Sequence, residues 1–219
     1  MSKKKFILLA NGKPPHRKII AYLQKKGYST LVCADGGANK AEKLNLIPDF
    51  IIGDFDSIDN QTLKYFRDKS KIIKLSGQND TDVEKCLKEM ISRNFGAAVL
   101  LGVTGDRLDH TFCNLGIVIK FYHKIKLKII AENSLLIPYA GNVELGTIPG
   151  EIISLYGFDT KTKITSQGLF YPLKNISLPF GKKESTSNIA ESGTVLLKIK
   201  GGIIFVIRDL NLLMKNNLL

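Results

Sequence analysis

The sequence predicts an α/β N-terminal domain with a mostly parallel, doubly wound sheet, and a smaller all-β C-terminal domain of the sandwich or barrel type. Up to about residue 131, short apolar runs alternate with helix-like segments, which is typical of βαβ units. Beyond that point the segments are β-like and are separated by Gly, Pro, Asn and Ser. We therefore expect an α/β domain over residues 1–131 and a β domain over residues 132–219, with a boundary between Ala131 and Asn142.

The first domain begins with the strand-like run KKFILLANG, and a helix is predicted in PPHRKIIAYLQKKG. In that helix Ile19, Ile20 and Leu23 share one face, and Gly27 can end it. Helix-like segments then separate further strand-like runs. These runs are STLVCADGG, DFIIGDFDS, KIIKLS, AAVLLGVTG and KLKIIAEN.

Two later helices of this domain have readable internal patterns. Thr81 and Glu84 fit a capping box at the start of the helix in DTDVEKCLKEMISRN. The apolar stripe of that helix is Val83, Leu87, Met90 and Ile91. In RLDHTFCNLGIVIKFYHK, the side chains expected to face inward are Leu108, Phe112, Leu115 and Ile119.

The second domain is predicted to contain strands only. None of its apolar runs has a helical period, and turn-forming residues stand between them. The runs are VELG, EIISLYGF, TKITSQGLFYPL, GTVLLKIKG and GIIFVIRDL.

Composition limits the classes of partner. The net charge of +12 is spread along the chain, and aromatic residues do not interleave with it, so we expect no nucleic-acid partner. The apolar runs are too short to span a bilayer, so we expect no membrane association. Cys33, Cys86 and Cys113 show neither disulfide nor metal spacing, which predicts a reducing, cytoplasmic location.

Polar or glycine-rich segments follow three predicted strands, at the sheet edge where open parallel sheets bind ligands. One is Asp35-Gly36-Gly37, where the backbone can approach a ligand closely because glycine has no side chain. Another contains Asp54 and Asp56, which in an extended backbone would point to the same side. Two like charges this close repel one another unless a cation or a proton intervenes.

Further polar residues are expected at the same edge. Gln78, Asp80 and Asp82 stand at the start of a helix, and Arg107 begins the next one, where it can bind a phosphate. Clustered carboxylates suit Mg²⁺ bound together with substrate phosphates. Phosphoryl transfer depends mainly on positioning and charge neutralisation, so these residues predict a nucleotide-bound metal at this edge.

Six segments have the order and spacing of one family's motifs. They are CADGGAN (33–39), GDFDS (53–57), TDVEKCL (81–87), GVTGDRLDH (102–110), GLFYPL (168–173) and STSN (185–188). With these segments the chain resembles the thiamine pyrophosphokinase family over almost its whole length. The resemblance implies an ATP-dependent diphosphotransferase that moves diphosphate from ATP to the thiamine hydroxyl, releasing AMP. It also implies a homodimer whose active sites lie at the subunit interface.

The resemblance implies a role for each matched residue. Asp54, Asp56 and Asp82 would be catalytic and would surround Mg²⁺ and the polyphosphate. Either Asp82 or Asp56 would accept the hydroxyl proton. Ser187 and Asn188 would contact thiamine. The residues implied in ATP binding are Asp35, Gly36, Gly37, Gln78, Thr104, Arg107 and Asp109.

Some positions depart from the family pattern, and two other enzyme classes share parts of it. Asn79 stands where an acidic residue is frequent, Asp106 where a second glycine is common, and Ile189 where Glu is frequent. The chain has no Trp, so any stacking on thiamine must come from Phe or Tyr. A diphosphokinase for another alcohol, such as hydroxymethylpterin, would share the ATP-binding residues. A haloacid-dehalogenase-like phosphatase would use Asp54 as nucleophile and Asp56 as acid.

Overall fold

A computed structural model describes residues 3–77, 79–105 and 107–219 of the chain. The chain divides into two compact units, of which the first ends at Glu132 and the second covers Asn133–Leu219. The first unit has a parallel sheet with helices, and the second is an antiparallel, β-rich unit. The predicted fold class is therefore confirmed.

Among its described residues, the first unit is organised around six parallel strands. The strands are β1 (Lys4–Leu9), β2 (Thr30–Ala34), β3 (Phe50–Gly53), β4 (Lys71–Lys74), β5 (Phe95–Leu101) and β6 (Lys126–Ala131). They lie in the order β6-β5-β1-β2-β3-β4, so the direction of winding reverses between β1 and β5. This reversal is the topological switch point beside which such sheets bind ligands. Side chains in the central strands, such as Ile7 and Val99, are fully buried, as expected for a parallel sheet covered on both faces.

In the described part of the first unit, five helices connect these strands. They are α1 (Arg17–Lys25), α2 (Gly37–Lys43), α3 (Asn60–Phe66), α4 (Asp82–Ser92) and α5 (Leu108–Lys120). The predicted apolar face of α1 is buried, and Gly27 follows its C-terminus with a φ of +87°. The capping box of α4 is also present, since Thr81 accepts a hydrogen bond from the Glu84 N–H and the Glu84 carboxylate accepts one from the Thr81 N–H.

The prediction for α5 is wrong about the face that is buried. Leu108 is 72% exposed and Phe112 is 57% exposed, whereas Asn114, Ile117 and Val118 are buried. Asn114 is held there because its side-chain amide donates to the Val103 carbonyl at 2.8 Å. Apolar residues occur on several faces of this helix, so periodicity alone did not identify the face that contacts the sheet.

The second unit contains five strands and one short helix. They are β7 (Ser134–Gly146), β8 (Ile152–Tyr156), β9 (Lys163–Gln167), β10 (Ser185–Ile189), β11 (Thr194–Asp209) and α6 (Leu210–Lys215). The two last predicted runs form the single strand β11, whose register with β7 shifts between Ile199 and Ile204. Helix α6 was not predicted, although Asp209 caps it by accepting from the Leu212 N–H.

The core of the second unit is built around β11, which pairs with different strands along its length. Its first half pairs with β9 and its second half with β8, while β7 follows it on the other side. Buried side chains from these strands, including Ile153, Leu155, Val195 and Ile204, make up one apolar cluster. No helix in the described part of the chain combines the length and the apolar character needed to cross a bilayer.

Lys128 on β6 is a source of instability in the first unit, and Lys128→Met should raise the thermal midpoint. Burial lowers the pKa of the Lys128 ammonium, and the nearby Lys5 and Lys26 lower it further. The unfolded chain therefore binds this proton more tightly, so the stability of the unsubstituted protein rises as the pH increases through the folded-state pKa. We expect an increase in Tm of about 2–4 °C at neutral pH, the change that 1 kcal/mol gives in a chain of this size.

Differential scanning calorimetry at neutral and alkaline pH measures both effects. The gain from Lys128→Met should shrink as the pH rises, because Lys128 loses its charge in the unsubstituted protein. The control is Lys126→Met on the same strand, where the lysine is exposed. An equal gain from both substitutions would contradict the explanation by burial.

Candidate active site

Asp35 stands at the end of β2 in a conformation that few residues adopt. Its φ is +42°, and the side chain is buried, with 2% of the residue exposed. The N–H groups of Ser57 and Ile58 each donate to the Asp35 carboxylate at 3.1 Å. A Cβ on Gly37 would lie 2.1 Å from the carbonyl oxygen of Leu9, so only glycine fits between this turn and β1.

Asp54 and Asp56 follow β3, but the backbone between them is not extended. Phe55 has a φ of +70°, so the alternation of side chains that holds in a strand does not apply here. Asp54 is half-buried, whereas Asp56 is exposed and accepts a hydrogen bond from the Ser57 hydroxyl at 2.8 Å. The strand ends at Gly53, so the extended backbone on which the prediction for these two carboxylates rests is not present between them.

Asp82 is the first residue of α4, and Lys85 lies one turn later on the same side of the helix. The Lys85 ammonium donates to Asp82 Oδ1 at 2.9 Å and to Asp54 Oδ2 at 2.7 Å. Only 5% of the Lys85 side chain is exposed. Lys85 was quoted in the TDVEKCL motif but not predicted as a site residue, although its spacing from Asp82 is a signal for a shared helix face.

Three carboxylates converge at this edge of the sheet. One oxygen from each of Asp35, Asp54 and Asp82 lies within 4.8 Å of the other two. Asp54 Oδ1 is buried and has no hydrogen-bond partner among the described residues. Asp56 is not one of these three but lies next to Asp35, and Asp35, which was predicted to bind ATP, takes the third position.

The electrostatics of the cluster reflect its mixture of burial and charge. Burial, together with the neighbouring carboxylates of Asp56 and Asp82, raises the pKa of the Asp35 carboxyl to about 6, against the lowering effect of the hydrogen bond from the Ser57 N–H. The hydrogen bond from Lys85 lowers the pKa of Asp54, which keeps that side chain ionised. The cluster therefore concentrates negative charge that only one nearby lysine offsets among the described residues.

The donor set fits a magnesium ion. Carboxylate oxygens are hard ligands, and Mg²⁺ usually takes one or two of them together with substrate phosphates. The buried Asp54 Oδ1, which lacks a partner among the described residues, is an oxygen that a cation would satisfy. Asp35, Asp54 and Asp82 are therefore the residues with the geometry to hold the ion.

A glycine-rich turn follows β5, and three more predicted ATP-binding residues lie in it and at the start of α5. Gly102 and Gly105 have positive φ values of +64° and +124°, and the Thr104 carbonyl accepts from the Lys13 N–H. Arg107 is exposed at the start of α5, where its guanidinium forms an ion pair with Asp109. That hydrogen bond lowers the pKa of the Asp109 carboxyl to about 2.

The structure does not describe two of the residues named in the sequence analysis. Gln78, predicted to bind ATP, and Asp106, a departure from the family pattern, both lie outside the described residues. Gly36, the remaining residue of the ATP-binding prediction, precedes α2, and a Cβ there would lie 2.5 Å from the Asn11 side-chain nitrogen.

In the second unit the two predicted thiamine-binding residues have different environments. Ser187 is exposed and has a φ of +55°. Asn188 is buried, and its amide bonds to both backbone groups of Tyr171, at 3.0 Å to the N–H and 2.8 Å to the carbonyl. Asn188 therefore fixes the 168–173 segment, where Phe170 and Tyr171 are exposed and in edge-to-face contact.

Comparison with known proteins identifies the family. The sequence model described as "Thiamin pyrophosphokinase, catalytic domain" matches residues 22–131, which is half of the chain. The model described as "Thiamin pyrophosphokinase, vitamin B1 binding domain" matches residues 142–204. The chain belongs to the thiamin pyrophosphokinase family.

Similar thiamin pyrophosphokinases come from several organisms. Thiamin pyrophosphokinase 1 of Caenorhabditis elegans is 33% identical over 193 residues, covering 80% of this chain and 77% of that protein. Thiamine pyrophosphokinase 1 of rice (Oryza sativa subsp. japonica) is 30% identical over 206 residues, covering 80% and 77%. The family prediction made from the six motifs is confirmed.

Solved structures of thiamin pyrophosphokinases have the same fold. The yeast enzyme has a TM-score of 0.83 at 20% identity and covers 98% of this chain and 89% of its own. The Bacillus subtilis enzyme has a TM-score of 0.79 at 22% identity, with coverages of 94% and 99%. These likenesses support the two-part α/β and β fold of the family.

Proposed function

We propose that this protein is a thiamine pyrophosphokinase that transfers diphosphate from ATP to the hydroxyl of thiamine, giving thiamine diphosphate and AMP. The observation that carries the proposal is the convergence of Asp35, Asp54 and Asp82 at the carboxyl ends of β2 and β3, in a chain of the thiamin pyrophosphokinase family. Neither a phosphatase nor a diphosphokinase for another alcohol finds support in the family matches.

Mg²⁺ is the proposed metal, held by Asp54 and Asp82 with Asp35 as the third carboxylate. When bound, it would supply positive charge that stabilises the polyphosphate during transfer. The protein's own contribution is a fixed group of oxygens, two of which belong to side chains already oriented by Lys85. Asp56 lies beside this group and is proposed to act with it.

The nucleotide is proposed to lie along the loops that follow β2 and β5. The narrow turn at Gly36 and Gly37 permits close approach of the backbone, and Thr104, Arg107 and Asp109 offer hydrogen-bonding groups at the start of α5. Arg107 can bind a phosphate with its planar guanidinium, which Asp109 holds at the helix start. Gln78 is proposed to line the same cleft.

The transfer also needs a group that accepts the hydroxyl proton of thiamine. One oxygen of Asp82 is already occupied by a hydrogen bond from the Lys85 ammonium, at 2.9 Å, and the same carboxylate belongs to the proposed metal-binding group. Asp56 is exposed, and no ion pair involves it among the described residues. We therefore favour Asp56 as the proton acceptor and Asp82 as a metal ligand.

The acceptor side of the site is proposed to come from the second unit, with thiamine contacted by Ser187 and placed by the segment that Asn188 fixes. The active protein is proposed to be a homodimer with sites at the subunit interface. The exposed Leu108 and Phe112 support self-association, because large exposed apolar side chains mark contact surfaces. Three free cysteines support a reducing, cytoplasmic location.

The deciding experiment incubates the protein with ATP, Mg²⁺ and thiamine and measures AMP and thiamine diphosphate together. Both products should appear in equal amounts, and AMP release should require thiamine. Parallel reactions with hydroxymethylpterin in place of thiamine, or with a phosphomonoester in place of ATP, test the two other enzyme classes. Release of inorganic phosphate without AMP would refute the proposal.

Ser187→Ala and Asn188→Ala should differ in their effects. Ser187 is exposed, so its substitution should raise the KM for thiamine several-fold while leaving Tm unchanged. Asn188→Ala removes buried hydrogen bonds to Tyr171, so it should lower stability by about 1–3 kcal/mol and raise the thiamine KM as well. Steady-state kinetics and thermal unfolding of both variants check this. An unchanged thiamine KM in Ser187→Ala would exclude its proposed contact.

A further inference from the structure

Lys85 is a buried lysine, and its burial calls for a physical explanation. Buried lysines are rare, because an ammonium removed from water is costly unless carboxylates compensate it. Only 5% of this side chain is exposed, while the carboxylates it contacts, Asp54 and Asp82, are 31% and 29% exposed. The lysine thus lies deeper than its partners, beneath the carboxylate cluster.

The two contacts connect separate elements of the first unit. Asp82 belongs to the first turn of α4, and Asp54 follows β3, so their positions along the chain do not fix the distance between them. Lys85 reaches one oxygen of each, at 2.9 and 2.7 Å. It leaves Asp54 Oδ1 buried and, among the described residues, without a partner.

We propose that Lys85 is a positioning residue, which holds one oxygen of Asp54 and one of Asp82 so that both carboxylates remain available, side by side with Asp35, to a divalent cation. This deepens the proposed function and rests on it for the identity of the site. Groups that bond to metal-ligating carboxylates in this way orient them, and their loss typically weakens metal binding or activity 10- to 100-fold.

A buried ammonium can also weaken the binding of a cation instead of supporting it. As a positive charge beside the cluster, Lys85 repels a cation, so its removal would strengthen ion binding if charge alone mattered. The two roles therefore predict opposite changes in ion affinity, which makes the measurement decisive. Although burial disfavours the charged form, the hydrogen bonds to Asp54 and Asp82 raise the pKa of Lys85, so the ammonium is present in the neutral range.

The test uses Mn²⁺ alone as probe, bound to the full-length protein and followed by electron paramagnetic resonance. In Lys85→Met we expect the Kd for Mn²⁺ to increase 10- to 100-fold, with the circular dichroism spectrum unchanged. The matched control is Lys88→Met, one turn further along α4, where an exposed lysine pairs with Asp80. Its Kd should stay within about twofold, as expected for a surface ion pair.

Each outcome decides the proposal. Equal or tighter Mn²⁺ binding in Lys85→Met would overturn it, as would the absence of millimolar binding in the unsubstituted protein. If Lys85→Met does not fold, Lys85→Gln, which keeps a hydrogen-bond donor without the charge, replaces it in the same measurement. A lower Tm with unchanged Mn²⁺ affinity would mean a structural role only and would also overturn it.

Kinetics separate this inference from the proposed function. In Lys85→Met the Mg²⁺ concentration for half-maximal turnover should rise while the KM for thiamine stays unchanged, because the thiamine contacts are untouched. If the unsubstituted protein binds Mn²⁺ with the expected dependence on Lys85 but makes no AMP from ATP and thiamine, the inference stands and the function fails. If it makes AMP and Lys85→Met retains normal ion affinity, the function stands and the inference fails.

Discussion

Asp54→Asn and Asp82→Asn should each lower turnover about 100- to 1,000-fold, which corresponds to a loss of about 3–4 kcal/mol of transition-state stabilisation. Asn keeps the size of Asp but removes the charge that attracts the cation, and an amide nitrogen replaces one oxygen ligand. Both carboxylates belong to the cluster whose oxygens lie within 4.8 Å of one another. The AMP-release assay under saturating ATP, Mg²⁺ and thiamine measures the change.

These substitutions should spare the fold, because neither side chain is part of the apolar core. Circular dichroism should be unchanged, and Lys85 loses only one of its two partners in each variant. Asp68→Asn, an exposed carboxylate after α3, is the control and should keep full activity. Turnover near that of the unsubstituted protein in both Asp54→Asn and Asp82→Asn would remove the basis for the metal assignment.

Arg208→Met should destabilise the second unit by about 3–5 kcal/mol, the cost of leaving one member of a buried ion pair without its partner. Arg208 on β11 donates to both oxygens of Glu151, at 2.6 and 2.8 Å, and to the Gly146 carbonyl at 2.7 Å. The Glu151 side chain is fully buried, so water cannot replace the lost contacts. Urea denaturation, with hydrogen exchange to locate the effect, measures the loss.

Two further variants test this explanation. Glu151→Gln combined with Arg208→Met should recover much of the stability, because no uncompensated charge then remains buried. Arg93→Met, which breaks the half-buried pair with Glu89 on α4, should cost less than about 1 kcal/mol. A loss of similar size in Arg93→Met and Arg208→Met would show that burial does not determine the cost.

The sequence predicted the alternation of strands and helices in the first unit well, because each element there has a local signal. The capping box at Thr81 and the glycine after α1 depend only on neighbouring residues. The family resemblance predicted the function in the same way, since its motifs are short and contiguous. Signals of this kind do not require knowledge of the tertiary fold.

The features that could not be predicted from the sequence depend on contacts between distant segments. Phe55 adopts a left-handed conformation that the strand pattern did not predict, and the third carboxylate of the group, Asp35, comes from the end of another strand. The hydrogen bond from Lys85 to Asp54 joins two distant segments, so the spacing of residues along α4 could not predict it. In the second unit, helix α6 was not predicted although Asp209 is a local N-cap signal. A helix of only six residues is too short to show a recognisable apolar periodicity.

The pairing of β11 has a consequence for biosynthesis. Three strands of the second unit, β7, β8 and β9, pair with β11, which is made after all of them. During translation the pairing of these strands with β11 must wait for residues 194–209 to emerge from the ribosome, whereas the six described strands of the first unit are synthesised by Ala131. The nascent chain thus carries unpaired strand edges for longest in its second unit, the stretch where chaperones have most to protect.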